Sequence, residues 1–329
     1  MVTVMDDDFA SRTEPYRREL LAHCYRMLGS VHDAEDLVQE TMLRAWRAFA
    51  RYDEERASLR TWLYRIATNA CLTALAGRAR RPLPSGLGAP AYDPQDAFVP
   101  GFEVPWLQPM PDTMMGDPFD PARMAESRGS LRLAVVAALQ LLPPRQRAVL
   151  ILRDVLDWPA AEVADLLDMT AAAVNSSLQR AHARARAAGL REDEISEPAE
   201  ARALVDRYVA AFEGADLAAL RRLLTDDAVL EMPPYLNWLA GADDYIRFIA
   251  RAYAMRGTDW RMLPTGANGQ PAVAAYVRGP DGVYGLHTLQ VFTVTPKGVA
   301  RTVVFQDPVV FTLFGLAPTV TGAALRSLH

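Results

Sequence analysis

The sequence has only two cysteines among 329 residues, Cys24 and Cys71. A zinc site needs a cluster of ligands at short spacing, and two isolated cysteines provide none. Each cysteine lies singly within a helical pattern, where this residue usually acts as a small buried apolar side chain. The sequence therefore predicts no metal site and no cofactor, and it places both cysteines in the core.

The sequence also lacks long apolar runs. None reaches the roughly 18 residues that a membrane-spanning helix needs, and the first ten residues, MVTVMDDDFA, are acidic where a signal peptide would be basic. Half of the residues are apolar and 23% are charged, as in folded globular proteins. We therefore expect a folded cytoplasmic protein with no membrane contact, long enough for two or three domains.

An excess of positive charge is missing as well, since the net charge is -5. The sign changes along the chain. Residues 9–82 contain 13 basic and nine acidic residues, and residues 127–191 contain nine basic and five acidic ones. Acidic residues outnumber basic ones by seven to one in 83–126 and by 16 to 12 in 192–329. Two basic blocks separated by acidic segments indicate local contact with a polyanion, so the acidic total does not exclude nucleic acid.

Helical periodicity runs through residues 9–81. Apolar residues recur at helical spacing in YRRELLAHCYRMLG and in AEDLVQETMLRAWRAF, where they include Leu43 and Trp46. Between these helices Gly29 and Ser30 break the pattern, and Asp33 is placed to cap the second helix. A third helix, LRTWLYRIATNACLTALAGRAR, ends in a basic tail.

A segment rich in proline and glycine, residues 82–126, separates the two basic blocks. It is acidic and shows no periodicity, yet it contains apolar side chains such as Phe98, Phe102 and Trp106. A structureless run of this length is either a linker or a functional loop. Because its apolar content is high for a free linker, we expect part of it to dock on a folded surface.

The second basic block has the layout of a helix-turn-helix. Pro143 and Pro144 end one helix and start the next, and a three-residue break at 168–170 precedes a long basic helix. A recognition helix presents small or polar side chains to base edges at its start and basic ones to phosphates further on. A solvated basic helix is the alternative. The residues assigned to DNA on this helix are Thr170, Ala171, Ala172, Asn175, Ser176, Gln179, Arg180 and Arg184.

The chain from 199 to 329 has the pattern of an α+β domain. Two helices broken at Gly214 precede several segments that alternate or run apolar like strands. Its interior has three interpretations: an apolar core, a ligand pocket or a catalytic site. Apolar side chains dominate and no catalytic spacing joins the ionisable residues, so the composition favours an apolar core. The ionisable residues near the strands are Asp226, Asp227, Glu231 and His287.

Three motifs occur together in one order: DAEDLVQETMLRAW (33–46), LRTWLYRIATNACL (59–72) and a segment from LPPRQRAVL to HARAR (142–186). They resemble the sigma-70 family, specifically sigma factors of the extracytoplasmic-function type. The resemblance implies a multidomain fold with two all-α domains: a sigma region 2 helical bundle at 9–81, and a sigma region 4 helix-turn-helix at 127–191. It also implies a protein that is not an enzyme but binds core RNA polymerase and directs promoter-specific transcription initiation.

In this family the first motif lies on a helix that contacts the clamp helices of the largest polymerase subunit, and the flap is a further polymerase contact. Because Glu40 follows Asp36 by four residues, both carboxylates lie on one helix face. A merely solvated acidic face is the alternative for this segment taken alone. The residues that the resemblance assigns to polymerase are Asp33, Asp36, Leu37, Gln39 and Glu40.

The third helix and the loop before it correspond to the part of the family that melts and recognises the minus-10 promoter element. Strand opening is favoured by a pocket for an extruded base and by aromatic faces and positive charge for the single strand. Phe49 and Trp62 equally suit the core. The residues assigned to the minus-10 element are Phe49, Tyr52, Arg60, Trp62, Arg65, Asn69, Arg78, Arg80 and Arg81.

The resemblance assigns the helix-turn-helix to the minus-35 element. Many family members have basic residues where Asn175 and Ser177 stand here. Fewer early charges mean fewer phosphate contacts, so we expect weaker binding with a smaller salt dependence.

The tail, from Leu204 to Pro234 and through the closing strands, resembles the SnoaL-like branch of the nuclear-transport-factor-2 fold, a curved sheet wrapped by helices into a cone with a pocket. The linker sequence VPWLQPMPD (104–112) resembles a motif of a sigma G-like subgroup of sigma factors that have such a tail. The resemblance implies that the tail acts in cis instead of a separate anti-sigma protein. The hypothesis is that the cone contacts the sigma domains or the linker and controls sigma activity; a small-molecule ligand of the tail is left open. A stand-alone helix-turn-helix regulator and a polyketide-cyclase-like enzyme are the alternatives.

Overall fold

The helices of the N-terminal part follow the apolar periodicity of the sequence. In the computed structural model they are α1 (Val2–Thr13), α2 (Arg17–Leu28), α3 (Val31–Ala48) and α4 (Leu59–Leu75), with single 3-10 turns at Glu14–Tyr16 and Phe49–Arg51. The structure describes residues 2–91, 93–115, 129–187 and 196–321. The predicted linker and domain ends that fall at 116–128, 188–195 and 322–329 lie outside the described residues.

The turn between α2 and α3 forms at the predicted place but with a different cap. Gly29 ends α2 with a φ of 70°, a left-handed conformation that glycine adopts without steric cost. The N-cap of α3 is Ser30, whose Oγ accepts a hydrogen bond from the Asp33 N–H at 3.2 Å. The prediction that Asp33 caps this helix was wrong, because Asp33 already lies in the first helical turn. Its carboxylate instead accepts a hydrogen bond from Arg81 Nη2 at 2.8 Å.

Both cysteines lie in the core of this bundle, as predicted. Cys24 on α2 and Cys71 on α4 are free thiols with no exposed surface. A hydrogen bond that the Cys71 thiol donates to Cys24, together with burial, raises the pKa of Cys71. The thiols therefore act as packed apolar groups between two helices.

A buried histidine makes the stability of the bundle depend on pH. The ring of His23 lies with Nε2 2.9 Å from Thr68 Oγ1, and burial, assisted by Arg26 and Arg60, lowers its pKa from 6.5 to about 3. The unfolded chain binds a proton near pH 6.5, whereas the folded bundle does not until about pH 3. The contribution of neutral His23 to the unfolding free energy is therefore fully present above pH 6.5 and is lost progressively as the pH falls toward 3.

We expect the bundle to lose about 2 kcal/mol of unfolding free energy between pH 7 and 5 through His23 alone. Amide hydrogen exchange in α2 and α4 measures this loss. The variant His23→Gln keeps a polar partner for Thr68 but does not titrate, so its loss over the same range should be smaller by that amount. Equal losses in the two proteins would contradict the assignment.

The second helical group contains the predicted helix-turn-helix. It comprises α5 (Leu133–Gln140), α6 (Pro144–Leu150) continued by a π-helical turn (Ile151–Val155), α7 (Ala160–Leu167) and α8 (Ala171–Ala187). Asp168 ends α7 with a φ of 54°, and the Thr170 Oγ1 accepts a hydrogen bond from the Ala173 N–H at 3.1 Å. A left-handed residue and a hydroxyl cap therefore form the tight turn that the sequence break predicts.

Two buried arginines connect the helical groups. Arg147 on α6 donates to the main-chain oxygens of Met27, Gln140 and Leu142 and to Gln140 Oε1. Arg26 on α2 donates to Ser130 Oγ at 2.8 Å. Burial lowers the pKa of each guanidinium to about 10, so both remain charged at neutral pH. Because Met27 lies in the last turn of α2, the Arg147 cation complements the negative end of that helix.

The proline-rich segment is divided between two compact units. The N-terminal unit comprises Met1–Arg81, Leu107–Met110 and Met114–Leu190, and the C-terminal unit comprises Pro82–Trp106, Pro111–Thr113 and Arg191–His329. The described residues of the linker are thus divided between the two units.

Within the N-terminal unit, Gln108 fastens the start of α3. Its Oε1 accepts hydrogen bonds from Ser30 Oγ at 2.9 Å and from the Val31 N–H at 3.2 Å. Its N–H donates to the Gly29 oxygen at 3.0 Å, and its own oxygen accepts from the Tyr25 hydroxyl at 2.7 Å. The neighbouring Leu107 side chain is buried and fills the space where a Cβ on Gly29 would stand.

The C-terminal unit has the α+β architecture that the sequence predicts. Its helices are α9 (Pro198–Glu213), α10 (Leu217–Leu223), α11 (Ala242–Arg256) and α12 (Pro308–Leu313). Its strands are β1 (Leu224–Glu231), β2 (Trp238–Ala240), β3 (Trp260–Ala267), β4 (Gln270–Arg278), β5 (Tyr284–Thr295), β6 (Gly298–Phe305) and β7 (Thr319–Val320). The sheet order is β2-β1-β6-β5-β4-β3, with β7 paired to β5; β1 and β6 run parallel, and the other pairs are antiparallel.

Aromatic side chains pack between the helices and the sheet of this unit. Tyr208 and Phe212 on α9 contact Phe292 and Trp260 of the sheet, at ring-centroid distances of 5.0 and 5.6 Å. The hydroxyl of Tyr245 lies 2.9 Å from that of Tyr208 and donates to Thr302 Oγ1 at 2.9 Å. The interior is therefore a packed apolar core in which the Tyr208 and Tyr245 hydroxyls are hydrogen-bonded, and an apolar core is the interpretation that composition favoured.

No helix in the described ranges is long and apolar enough to cross a membrane.

Candidate functional site

The residues assigned to polymerase lie on the side of α3 that faces away from the bundle core. Asp36 and Gln39 are exposed, and Asp33, Leu37 and Glu40 are half-buried, whereas Val38 and Met42 are buried. Glu40 accepts a hydrogen bond from Arg44 Nε at 2.7 Å. The structure thus presents four polar side chains and one leucine along a single helix surface.

Two apolar residues extend this surface and were not predicted as part of it. Leu43 and Trp46 are 41% and 40% exposed, although their spacing placed them on the apolar face of the helix. Large apolar side chains grouped at a surface indicate a protein contact. Periodicity missed them because the apolar residues of α3 cover more of the helix than the bundle buries.

The aromatic residues assigned to the minus-10 element form one cluster. Phe49 stacks on Tyr52 with a centroid distance of 6.1 Å, and Tyr52 lies 4.9 Å from Trp62. Phe9 of α1 meets the edge of Phe49 at 5.1 Å. All three predicted rings are half-buried, so they are packed against one another and still reach the surface. Phe49 and Trp62 are thus neither fully buried in the core nor fully exposed, and their assignment to the minus-10 element stays a prediction.

The basic residues assigned to the minus-10 element are mostly paired within the unit. Arg60 Nε lies 2.9 and 3.1 Å from the two carboxylate oxygens of Glu19, and Arg65 pairs with Asp165 of α7. Arg78 and Arg81 both pair with Asp33, at 3.4 and 2.8 Å.

Asn69 and Arg80 are exposed. The ion pairs of Asp33 with Arg78 and Arg81 join residues from two predicted sets, since Asp33 was assigned to polymerase and the two arginines to DNA.

Helix α4 also contacts the helix-turn-helix region. The Tyr64 ring lies 5.7 Å from the Trp158 ring in an edge-on arrangement, close to the pair between Arg65 and Asp165. Part of the surface assigned to the minus-10 element is thus occupied by the segment that precedes the predicted recognition helix.

Helix α8 and Thr170, which precedes it, expose every residue assigned to the minus-35 element. Val174, Ser177 and Ala181 pack inward, which turns the opposite side to solvent. Arg180 donates to Ser176 Oγ at 2.7 Å and to Ser177 Oγ at 3.1 Å. Because Ser177 is only 5% exposed, a longer basic side chain there would have to leave the packed face. The exposed set is Thr170, Ala171, Ala172, Asn175, Ser176, Gln179, Arg180 and Arg184.

The ionisable residues of the C-terminal unit do not form one group. Asp226 and Asp227 are exposed at the start of β1, where Asp226 pairs with Arg221 at 3.0 Å. Glu231 at the end of the same strand is fully buried and pairs with Arg301. The fourth residue, His287, is half-buried on β5. Burial and the charge of Arg256 lower its pKa to about 4. Among the described residues no group of three or more His, Cys, Asp or Glu is placed to hold a metal ion.

Three family models match the chain in succession. Residues 13–81 match sigma-70 region 2, residues 132–184 match sigma-70 region 4, and residues 205–312 match the SnoaL-like domain. The first range contains α2–α4, the second contains α5–α7 and most of α8, and the third contains strands β1–β6 of the sheet.

Two curated relatives align with most of the chain. The chain is 52% identical over 313 residues to the ECF RNA polymerase sigma factor SigG of Mycobacterium tuberculosis, an alignment that covers 94% of this chain and 84% of the relative. It is 29% identical over 329 residues to the ECF RNA polymerase sigma factor SigJ of the same organism, covering 96% and 94%.

The crystal structure of the Mycobacterium tuberculosis extracytoplasmic function sigma factor SigJ superposes with a TM-score of 0.64 at 24% identity, covering 93% of this chain and 99% of that one. That structure has the same fold.

Proposed function

Because the chain belongs to the extracytoplasmic-function RNA polymerase sigma factors, we propose the surfaces with which it performs sigma function: α3 binds core polymerase, α4 with its preceding loop binds the minus-10 element, and α8 binds the minus-35 element. The sigma factor acts in the cytoplasm, where the polymerase works. The observation that supports the promoter assignment is that Thr170 and the seven assigned residues on α8 are all exposed.

The minus-35 contact follows from the chemistry of α8. Ala171 and Ala172 at the start of the helix allow the backbone to approach the major groove closely. Asn175 and Gln179 are the side chains with the amide geometry to pair with base edges, and Arg180 is placed one turn further on for a phosphate. With few early charges, this helix is a modest binder that depends on the polymerase for affinity.

The polymerase contact combines charge with apolar area. Asp36 and Gln39 supply exposed polar groups on α3, and Leu43 and Trp46 supply apolar surface next to them. Interfaces of this composition, with an aromatic anchor beside polar residues, are typical of specific protein contacts. The basic residues of the clamp helices pair with the carboxylates of α3.

The C-terminal unit controls this activity in cis without catalysis. Its core is filled by aromatic rings, and its buried carboxylate, Glu231, is committed to Arg301 and to the Ser85 N–H at 2.9 Å. In the N-terminal unit, Arg65 is already paired with Asp165. We infer that the free chain holds its promoter-binding surfaces partly covered and that polymerase or a signal releases them.

Run-off transcription with core polymerase tests the function directly. A start-site-specific product from templates with both promoter elements is the expected result. A helix-turn-helix regulator acting alone would bind operator DNA without polymerase, and an enzyme would convert a small molecule with the tail alone. Absence of product on promoters with both elements would reject the sigma assignment for this chain.

The substitution Arg180→Ala should reduce the salt dependence of promoter binding by the holoenzyme. Loss of one phosphate contact lowers the slope of log K against log salt by about 1 and weakens binding at all sequences alike. Binding titrations at several salt concentrations measure the slope. The control Arg202→Ala removes an equal charge from the exposed side of α9 and should leave the slope unchanged. An unaltered slope in Arg180→Ala would remove this residue from the proposed interface.

The substitution Asp165→Asn should strengthen binding to the minus-10 element modestly. The pair with Arg65 is well exposed, with 42% and 72% of the side-chain surfaces accessible, so it is worth no more than about 1 kcal/mol and its loss gains at most about fivefold in affinity. Affinity for a single-stranded minus-10 oligonucleotide measures the effect. Glu162→Gln, on the exposed side of the same helix, is the matched control. Weaker binding by Asp165→Asn would show that Asp165 does not compete with DNA for Arg65.

A further inference from the structure

The linker crosses the C-terminal unit as an extended peptide held by side chains. Residues 93–99 pass over α11 and the loop before β2. Arg251 Nη1 donates to the main-chain oxygens of Pro94 and Asp96, at 2.9 and 2.7 Å. Asn237 accepts from the Val99 N–H at 2.6 Å and donates to the Ala97 oxygen at 3.4 Å. These bonds engage the peptide backbone, so they do not depend on the sequence of the bound segment.

Two side chains near the ends of the segment 93–99 contact the C-terminal unit. Asp93 pairs with Arg247 Nη2 at 3.0 Å. Phe98 lies between the rings of Tyr235 and Phe248, at centroid distances of 4.8 and 5.9 Å. The Arg251 guanidinium covers the Phe98 ring at 5.0 Å from its centroid. The bound segment therefore presents to this surface an acidic residue five positions before a phenylalanine.

The backbone of the linker also joins the edge of the sheet. The Ala91 N–H donates to the Trp238 oxygen on β2 at 2.7 Å, and the Trp238 indole donates to the Gly88 oxygen at 2.9 Å. Further along, the Leu236 N–H donates to the Val99 oxygen, and the Gly101 N–H donates to the Pro234 oxygen, both at 2.8 Å. Hydrogen bonds to an edge strand combined with side-chain pockets form a recurrent mode of peptide recognition.

We propose that Tyr235, Asn237, Arg247, Phe248 and Arg251 form a peptide-binding site, which the chain's own linker occupies and which accepts an extended segment of a partner protein with an aspartate five residues before a phenylalanine. The charge of the site fits such a segment, because two arginines face a linker that is acidic. This goes beyond sigma function, and peptide binding needs no polymerase, so either assignment can fail without the other.

The tethered linker competes with any partner segment. A short flexible tether holds its segment at an effective concentration in the millimolar range. A free peptide with micromolar affinity for the empty site would therefore bind the intact chain at least about tenfold more weakly. Release of the linker segment is the step that opens the site.

The test uses the full chain and a labelled synthetic peptide, DPQDAFVPG, with the sequence of residues 93–101. The double variant Asp93→Ala with Phe98→Ala vacates the site, and fluorescence anisotropy should show at least tenfold tighter peptide binding than in the unsubstituted chain. Adding Arg251→Ala or Asn237→Ala should weaken that binding at least tenfold. Arg256→Ala, at the exposed end of the same helix, is the control and should change nothing. A peptide with alanine at its first aspartate and its phenylalanine should not bind.

A second measurement needs no linker substitution and so stands even if the double variant does not fold. Excess peptide should displace the linker of the intact chain and accelerate amide exchange at Val99 and Gly101. No displacement, or binding that ignores Arg251 and Asn237, would overturn the proposal. Concentration-dependent dimers of the intact chain that disappear in Phe98→Ala would also overturn it, because a second copy would then be the occupant.

Discussion

Replacing Arg147 by methionine is expected to lower the unfolding free energy of the N-terminal unit by about 2–4 kcal/mol. The guanidinium is 2% exposed and serves four neutral oxygens, of which the Met27 oxygen belongs to the last turn of α2. Methionine fills similar volume without any donor, so buried oxygens lose their partners. Removal of the buried charge itself offsets part of that loss.

Amide hydrogen exchange in α2 and α6 measures this effect, because it reports the opening of the N-terminal unit separately from the rest of the chain. Arg145→Met is the matched control, since Arg145 lies on the same helix with its side chain exposed, and we expect a change within about 0.5 kcal/mol. Equal protection in the two variants would show that Arg147 does not hold the helical groups together.

Removing the tail is expected to raise promoter-specific transcription at least about fivefold. Coupling free energies between sites are typically 1–3 kcal/mol, which corresponds to about 5–150-fold. A chain that ends at Glu197 lacks the whole sheet, so the linker residues that pack on it lose their binding surface. Run-off transcription with equal amounts of full-length and truncated protein measures the change.

Two controls keep this result interpretable. A template with a scrambled minus-35 element shows whether the added transcripts depend on the promoter, and amide exchange in α2 shows whether the truncated chain keeps its helical bundle. Unchanged output from a folded truncated chain would argue against control in cis, and it would leave the sigma assignment intact.

Local patterns sufficed to predict α2, α3 and the exposed face of α8, whereas α4 ends at Leu75, before the basic tail that the pattern included in it. Spacing of apolar residues predicts which side of a helix is buried, and Val174, Ser177 and Ala181 fit that spacing. The turn at Asp168 was equally predictable, because a break in periodicity before a capping hydroxyl indicates a helix start. The peptide-like docking of the linker was visible only as an excess of apolar residues.

Contacts between distant residues were not predictable from local patterns. Gln108 reaches Ser30 across 78 positions, and Arg147 reaches Met27 across 120. A lone glutamine in a proline-rich segment and an arginine after two prolines have no local feature that indicates burial. For the same reason the pairing of Asp33 with Arg81 was missed, since each residue suits a separate surface when its neighbours in sequence are the only guide.

The divided linker constrains how such tails can be exchanged between sigma factors. Pro82–Trp106 and Pro111–Thr113 fold with the sheet, although both precede region 4 in the chain, and the intervening Leu107–Met110 folds with the helices. A chimaera joined at Glu197 would set a foreign β2 and α11 against the native linker. A functional exchange therefore requires that Pro82–Trp106 and Pro111–Thr113 are transferred together with the tail. The four residues between them, Leu107–Met110, are kept from the sigma factor that receives the tail.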